Sequence, residues 1–263
     1  MNQSLGDVAS RGGIFLGVLA GLLLLEVLMP GPNPPPTRDR RWPANAALIL
    51  IGTVLARLLL PAGAVGAAAW AQAQGFGLLN QITLPAWLEF GIALVLLDLA
   101  IYWQHRLLHI WPALWRLHRV HHTDATLDAT SALRFHPLEI LVSLVFKIAL
   151  AMLLGIAPLA MMVFEVLLSS FALVTHANLA LPPWLDGPVR TLLVTPNMHR
   201  IHHSTDGDEQ RRNFGFNLSV WDHLFASYAA QAREQPQAFG VRSVDPVDAR
   251  RFTSLLREPF VRR

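Results

Sequence analysis

The sequence predicts an all-α membrane protein: a transmembrane helical bundle of four to five spans with a cytoplasmic helical cap. Three observations lead there. Of 263 residues, 53% are hydrophobic and only 15% charged, against about 25% charged in an average soluble domain, and mean hydropathy is +0.39. The charges avoid long stretches: between Ala44 and Leu97 stand only Arg57 and Glu89, and between Ile140 and Thr175 only Lys147 and Glu165. Stretches of this kind supply the roughly 20 apolar helical residues that cross a bilayer core of about 30 Å. The eleven histidines are the third observation, because all lie between His105 and His223 and none lies in the first 104 residues.

Residues 12–29 read as the first span, a retained anchor, since no small-residue cleavage site follows. Residues 30–43 are a Pro-rich, Arg-rich loop, too dense in proline for a helix. Residues 44–60 form the second span, with Arg57 near its far end and able to snorkel. Residues 61–84 are apolar but broken by Gly and Pro, and read as a short re-entrant or interfacial segment. Residues 85–104 make the third span and run straight into His105. Residues 137–154 and 158–178 are two further spans, an antiparallel hairpin around the uncharged Gly155-Ile156-Ala157-Pro158. From Leu181 the chain is polar, with eleven Arg against nine acids.

The positive-inside rule orients the set. Arg38, Arg40 and Arg41 put the first loop in the cytoplasm, and counting spans from there puts His105 to His136 and the C-terminal region on the same side. A four-span arrangement is the rival. Arg250, Arg251, Arg257, Arg262 and Arg263 are expected to rest on anionic headgroups. The dominance of arginine, 20 against one lysine, suggests a bacterial inner membrane. The absence of cysteine excludes disulfides, iron–sulfur clusters and thiolate zinc sites. No basic run is interleaved with aromatics, so nucleic acid is set aside as a partner.

The histidines fall into three clusters: His105-x-x-x-His109, His118-x-x-His121-His122 and His199-x-x-His202-His203. Side chains at i, i+3 and i+4 share a helix face, so each cluster is expected to present its imidazoles together. Eight imidazoles are too many for one tetrahedral zinc and about right for two metals, so the cap is expected to hold a dinuclear histidine site. Imidazole suits iron, zinc, copper and nickel. Asp98, Asp124 and Asp222 are candidates for orienting imidazole N–H groups from behind. Taken alone, His176 reads as an interfacial hydrogen-bonder, His136 as structural, and His223 as packing or support for the ligands. Asn213 reads as a plain turn or as a support near the metals. Lys147 and Glu165, in adjacent hairpin spans, read as a mutual ion pair, as snorkelling side chains or as bundle-facing packing. A non-redox dinuclear zinc hydrolase and a metal transporter or sensor are the alternatives from other classes; transport sites usually sit near the bilayer midplane, which counts against the latter.

The pattern around the clusters resembles the fatty acid hydroxylase / sterol desaturase superfamily of integral-membrane di-iron oxygenases. Asp98-x-x-x-Tyr102-Trp103-x-His105-Arg106 is similar to that family's opening motif, Arg134-x-His136-Pro137-x-Glu139 to its next, and His176-x-Asn178 to its H-x-N at the hairpin end. Thr195-Pro196-Asn197-Met198-His199 leads into the third box, and Asn213-Phe214-Gly215 and Trp221-Asp222-His223-Leu224-Phe225 resemble the closing motifs. The likeness covers about residues 90–228.

It implies the ligand set His105, His109, His118, His121, His122, His176, His199, His202 and His203, with no catalytic residue beyond the ligands. Asp98, Asp124, Asn178, Asn213, Asp222 and His223 are then candidates for supporting that set. A further family histidine, one turn after the counterpart of His176, is Ala180 here; His136 and His223 are the available substitutes, though the family pattern does not make them ligands. The resemblance implies two Fe ions, O2 as co-substrate, and electrons from NAD(P)H through a separate carrier, cytochrome b5-like or ferredoxin-like. The implied reaction hydroxylates or desaturates an unactivated C–H position of a lipid that enters sideways from the bilayer. The chain then divides into N-terminal spans and loops (1–84), a catalytic domain (85–230) and an Arg-rich C-terminal tail (231–263).

Overall fold

The computed structural model describes residues 2–31, 40–233 and 237–261. Arg38, Arg262 and Arg263 lie outside the described residues. The regular structure is helical, apart from two isolated β-bridges. Six longer helices build the bundle: α1 (Asn2–Leu28), α2 (Arg41–Leu59), α3 (Gly63–Ala73), α4 (Ala86–Ile110), α6 (Pro137–Leu154) and α7 (Pro158–His176). The cap is made by α5 (Pro112–His122), α8 (Pro183–Val189), α9 (Pro196–His202), α10 (Val220–Leu224) and α11 (Phe252–Arg257), with the loops between them. Proline opens α5, α6, α7, α8 and α9 at their first turns, where its fixed φ suits the helix and its missing N–H costs nothing.

Five stretches are long and apolar enough to cross a membrane: Ser10–Leu28, Arg41–Gln81, Ala86–Ile110, Pro137–Leu154 and Pro158–His176. Their outer faces expose Leu16, Leu58, Val145, Leu153 and Leu159. An apolar belt of that extent is a liability in water and the normal state in hydrocarbon. The chain is an integral membrane protein.

The α6–α7 hairpin turns at Gly155, whose φ of 67° is the left-handed conformation that glycine adopts without strain. Residues 61–84, expected as a short re-entrant or interfacial segment, carry α3, which is packed into the bundle. At 11 residues α3 is only about 16 Å long, and it packs against both α6 and α7. Ala64 and Ala68 are buried with Leu97, Ile101, Ala160 and Phe164; their small side chains allow the close helix approach. Gly77 seals this end, because a Cβ there would stand 2.3 Å from the Gly155 nitrogen.

On the other side α1 packs along α7 through Leu22, Ala172, Leu173 and Ala177. Arg41, used above as a cytoplasmic surface charge, is buried. It bonds Asp124 at 2.9 Å and also pairs with Asp128, which clamps the start of α2 to the loop after α5. Part of the expected tail is docked rather than free. Leu255 packs with Ala44, Leu48 and Val120, and Glu258 pairs with Arg119 at 3.0 Å.

Candidate metal centre

The last two turns of α4 carry His105 and His109. A bend at Trp111, extended at φ −93° and ψ 115°, lets α5 fold back with His118, His121 and His122 facing the bundle. The final residue of α7 is His176. The Thr195 hydroxyl caps α9 by accepting from the Met198 N–H at 3.2 Å, and α9 with the residue after it delivers His199, His202 and His203. All nine side chains are buried.

They form two groups: His105, His109, His118, His122 and His202, and His121, His176, His199 and His203. Within each group the ligand atoms lie within 4.8 Å of one another. The groups abut, with the rings of His122 and His203 stacked at 4.3 Å. Each three-histidine box is therefore split, where sequence spacing pointed to one shared face. In α5 the i and i+4 members serve the five-imidazole group and i+3 serves the other. In α9 the i and i+4 members serve the four-imidazole group and i+3 the first. The reason is rotational: at 3.6 residues per turn, i+3 and i+4 lie on opposite sides of i, about 60° and about 40° away, and so stand about 100° from each other.

Four imidazoles are anchored through Nδ1. His105 bonds the Phe214 carbonyl at 2.8 Å, His118 the Glu139 carboxylate at 2.7 Å, His176 the Ala172 carbonyl at 2.7 Å and His202 the Arg212 carbonyl at 2.8 Å. An acceptor at Nδ1 fixes the tautomer that leaves Nε2 free as a ligand atom. In the four-imidazole group the Nε2 of His176 lies 3.0 Å from that of His121 and 3.1 Å from those of His199 and His203. Burial, reinforced by the neighbouring imidazoles, pushes His121, His122, His199 and His203 well below the ordinary imidazole value. Burial likewise takes His202 down to about 3. These rings are neutral at physiological pH, the form that binds metal.

Metal fits this donor set. Both ring nitrogens of the buried His122 lack a hydrogen-bond partner among the described residues, as do Nε2 of His109 and His202. Orphaned buried nitrogens are costly unless something satisfies them. Nitrogens each about 2.1 Å from one ion stand roughly 3 Å apart when neighbours subtend a right angle, which matches the Nε2 spacing of the four-imidazole group.

The expected supporting residues lie elsewhere than behind the rings. Among the described residues, Glu139 is the one carboxylate bonded to an imidazole. It stands in the Arg134-x-His136-Pro137-x-Glu139 motif, one turn into a helix that starts beside the cluster, and that position was the available signal. Asp222 accepts from the Phe214 and Gly215 N–H groups at 2.8 and 2.7 Å and so holds the carbonyl that orients His105. Burial raises its pKa, with the Ser227, Gly215 and Phe214 hydrogen bonds opposing. Asp98 takes Trp221 Nε1 and Asn217 Nδ2, both at 2.8 Å, and fixes the segment before α10.

Asp124 faces Arg41, Arg134 and Ser131 rather than a histidine. Burial works to raise its carboxyl, but Arg134 and Arg41 hold it below the usual value. Asn213 sits at φ 53° and ties the first turn of α9, at the Met198 carbonyl, to the chain at Ala229 through bonds of 2.8 to 3.0 Å. The Asn178 N–H donates to Glu26, so it belongs to the packing of α1. His223 is exposed, against Tyr228 at a ring distance of 4.0 Å, and is remote from the cluster. His136 caps Leu138 and reaches the Leu256 carbonyl, and Ala180 is exposed beyond the end of α7. None of these three supplies a tenth donor.

Aromatic rings close the site. Phe135 stacks on His121 at 4.4 Å and 8°, Phe214 lies 5.4 Å from His109, and Trp115 covers His109 at 5.1 Å and His122 at 5.5 Å. A cavity of about 490 Å³ leads from the spanning half of the bundle to His105, His118 and Glu139.

Fold and site together define an integral-membrane protein with two abutting groups of buried imidazoles that could each hold a metal ion. The family model for fatty acid hydroxylase matches residues 90–227, and the chain belongs to that family. It is 33% identical over 184 residues to the ornithine lipid hydroxylase OlsE of Rhizobium tropici, covering 68% of this chain and 52% of that protein. It is 30% identical over 154 residues to alkylglycerol monooxygenase of Danio rerio, covering 56% of this chain and 32% of that one. The human alkylglycerol monooxygenase is 30% identical over 141 residues, 51% of this chain and 29% of its own length. The chain thus spans between about half and a third of these relatives. No solved structure matches it.

Proposed function

We propose that the chain is a membrane di-iron oxygenase that uses O2 and externally supplied electrons to hydroxylate or desaturate a C–H position of a lipid. The observation that carries this reading is the pair of abutting groups of five and four buried imidazoles. Relatives named for an ornithine lipid and for alkylglycerol support a lipid substrate. The same nine histidines are taken as the ligands. An iron pair bound there would supply O2 reduction and C–H oxidation. Hydroxylation then consumes one O2, two electrons and two protons per alcohol and water formed.

The chain's own residues do the rest. Phe214, Glu139, Ala172 and Arg212 hold four rings in the binding tautomer. Trp115, Phe135 and Phe214 keep bulk water from the reacting centre, which prevents side reactions. His105 and His118 border both the large cavity and a narrow gap between the two groups, so a lipid carbon arriving through the cavity meets the five-imidazole group first. The charge rule that orients the spans supports a metal centre and C-terminal region facing the cytoplasm, and the dominance of arginine over lysine supports a bacterial inner membrane. A cytochrome b5-like or ferredoxin-like carrier would deliver electrons from NAD(P)H on that side.

The test is metal analysis and Mössbauer spectroscopy of anaerobically purified protein, before and after O2. Two irons per chain that change oxidation state with O2 are expected. Two zincs with no O2 response would overturn the redox mechanism in favour of a hydrolase.

A further inference from the structure

The cavity that reaches the histidines at one end carries unexpected charge at the other. Arg11 of α1, Arg57 of α2, Lys147 of α6 and Glu165 of α7 all line it. Glu165 accepts from Lys147 Nζ at 2.5 Å and also pairs with Arg11. No ion-pair partner of Arg57 is found among the described residues, although it borders the same space. Three cations thus share the cavity with two carboxylates, Glu165 at this end and Glu139 at the histidine end, a net excess of one positive charge. Lys147 stands mid-helix in α6, where charge is expensive unless it is paired or serves a ligand, whereas Arg57 is exposed in the last turn of α2 and still borders the cavity. Locking α1 to α7 would need one cation, so Lys147 and Arg57 are surplus to that purpose.

The charged end is joined to the histidines by a polar stripe. Glu139, Ser143 and Lys147 recur every fourth residue of α6 and all border the cavity; Ser143 takes Gln104 Nε2 at 3.0 Å. From Glu139 to Lys147 the axial distance is about 12 Å. The flanking walls are apolar, with Phe15, Ile49, Leu144 and Leu168 among them.

We propose that Arg11, Arg57 and Lys147 form a subsite for an anionic group of the lipid, a carboxylate or a phosphate, held about 12 Å along the helix axis from the histidine end. The intervening apolar walls take the alkyl part. Glu165 then sets the strength of the subsite by offsetting part of its charge. The inference rests on the lipid-oxygenase reading for the identity of the occupant.

The test is binding to the full chain in phosphatidylcholine nanodiscs, with empty discs subtracted. The probes are radiolabelled hexadecyl phosphate, hexadecanoic acid and hexadecanol, at about pH 9 so that the acid is ionised. At least one anion is expected to bind about tenfold more tightly than the alcohol. Preference for the acid assigns a carboxylate lipid, and preference for the phosphate assigns a phosphate-bearing one. Arg57→Leu and Lys147→Met should each weaken the anion severalfold and leave the alcohol unchanged, whereas Glu165→Gln should strengthen the anion. Arg57→Leu breaks no ion pair seen in the structure, so it keeps the test valid if Lys147→Met does not fold. Equal affinities for all three probes, or charge substitutions that move all three together, would overturn the subsite. Iron content measured on the same discs separates the two readings: bound iron without anion preference defeats only the subsite, and anion preference without iron defeats only the oxygenase.

Discussion

The two imidazole groups draw on the same cap helices but are held in different ways. The group of five has three rings anchored through Nδ1, at His105, His118 and His202, and it borders the lipid-side cavity. In the group of four only His176 is anchored in this way, and its Nε2 atoms crowd together at 3.0 to 3.1 Å. The difference teaches a division of labour: the five-imidazole position is oriented from outside and borders the cavity, and the four-imidazole position is a closed knot that orients itself.

The sharpest way to break that comparison uses two neighbours on α9. His202 serves the five-imidazole group and His199 the other. His202→Ala and His199→Ala are each expected to cost one ion per chain and to lower lipid oxidation more than a hundredfold, since paired sites act as a unit. Their Mössbauer spectra should differ, because a different ion remains in each. Identical residual spectra would mean that the two groups are one pool.

Acid should act next most strongly, and on the metal-free protein. His121, His122, His199, His202 and His203 have folded-state pKa values below the unfolded value of about 6.5. The unfolded chain therefore binds more protons than the folded one below that pH, and stability falls as pH falls. Each ring contributes up to about 1.4 kcal/mol per pH unit. Thermal unfolding in detergent between about pH 7 and 4 should show a steep loss. His202→Gln should remove about one proton from the slope, and bound metal should shift the loss to lower pH. A flat profile would mean that the apo site already opens to water.

The histidines themselves were legible in the sequence, because close i, i+3, i+4 spacing is local information. Their division was not. It depends on how α5 and α9 are rotated about their axes, and rotation is set by tertiary anchors such as Asp222 acting through Phe214. The carboxylates adjacent in sequence, Asp124 beside His122 and Asp222 beside His223, pointed to direct support of the rings. In the fold they satisfy Arg41 and Arg134 or backbone N–H groups, while Glu139, seventeen residues past His122, reaches His118. The spans were read correctly from charge avoidance because bilayer length is a one-dimensional constraint. The packing of α3 was not legible, since it depends on Ala64 and Ala68 meeting α6 and α7, which no local pattern reports.

The clamp on α5 gives a smaller effect that should fall on both groups alike, since α5 feeds both. Arg41→Ala leaves Asp124 and Asp128 buried without that partner. Removing one member of a buried pair costs about 3–5 kcal/mol. Chemical denaturation of the detergent-solubilised protein should show that loss, with the stoichiometry of bound metal unchanged at saturating iron. Selective loss of one ion would show that the clamp positions one group in particular.

The smallest effect is the most discriminating. Glu139 carries the one carboxylate–imidazole bond at the site, and it supports only His118 and hence only the five-imidazole group. Glu139→Gln keeps a polar partner at Nδ1 but removes the charge that raises the basicity of the ring. Changes of this kind cost about 10–100-fold in metal affinity. A chelator titration of the iron-loaded variant should therefore release one ion early and the other at the wild-type concentration. Release of both together would dissolve the distinction between an oriented group and a self-oriented one. Early release confined to one ion, with the spectrum of the ion left behind matching that retained in His202→Ala, would establish that orientation from outside belongs to the group facing the cavity.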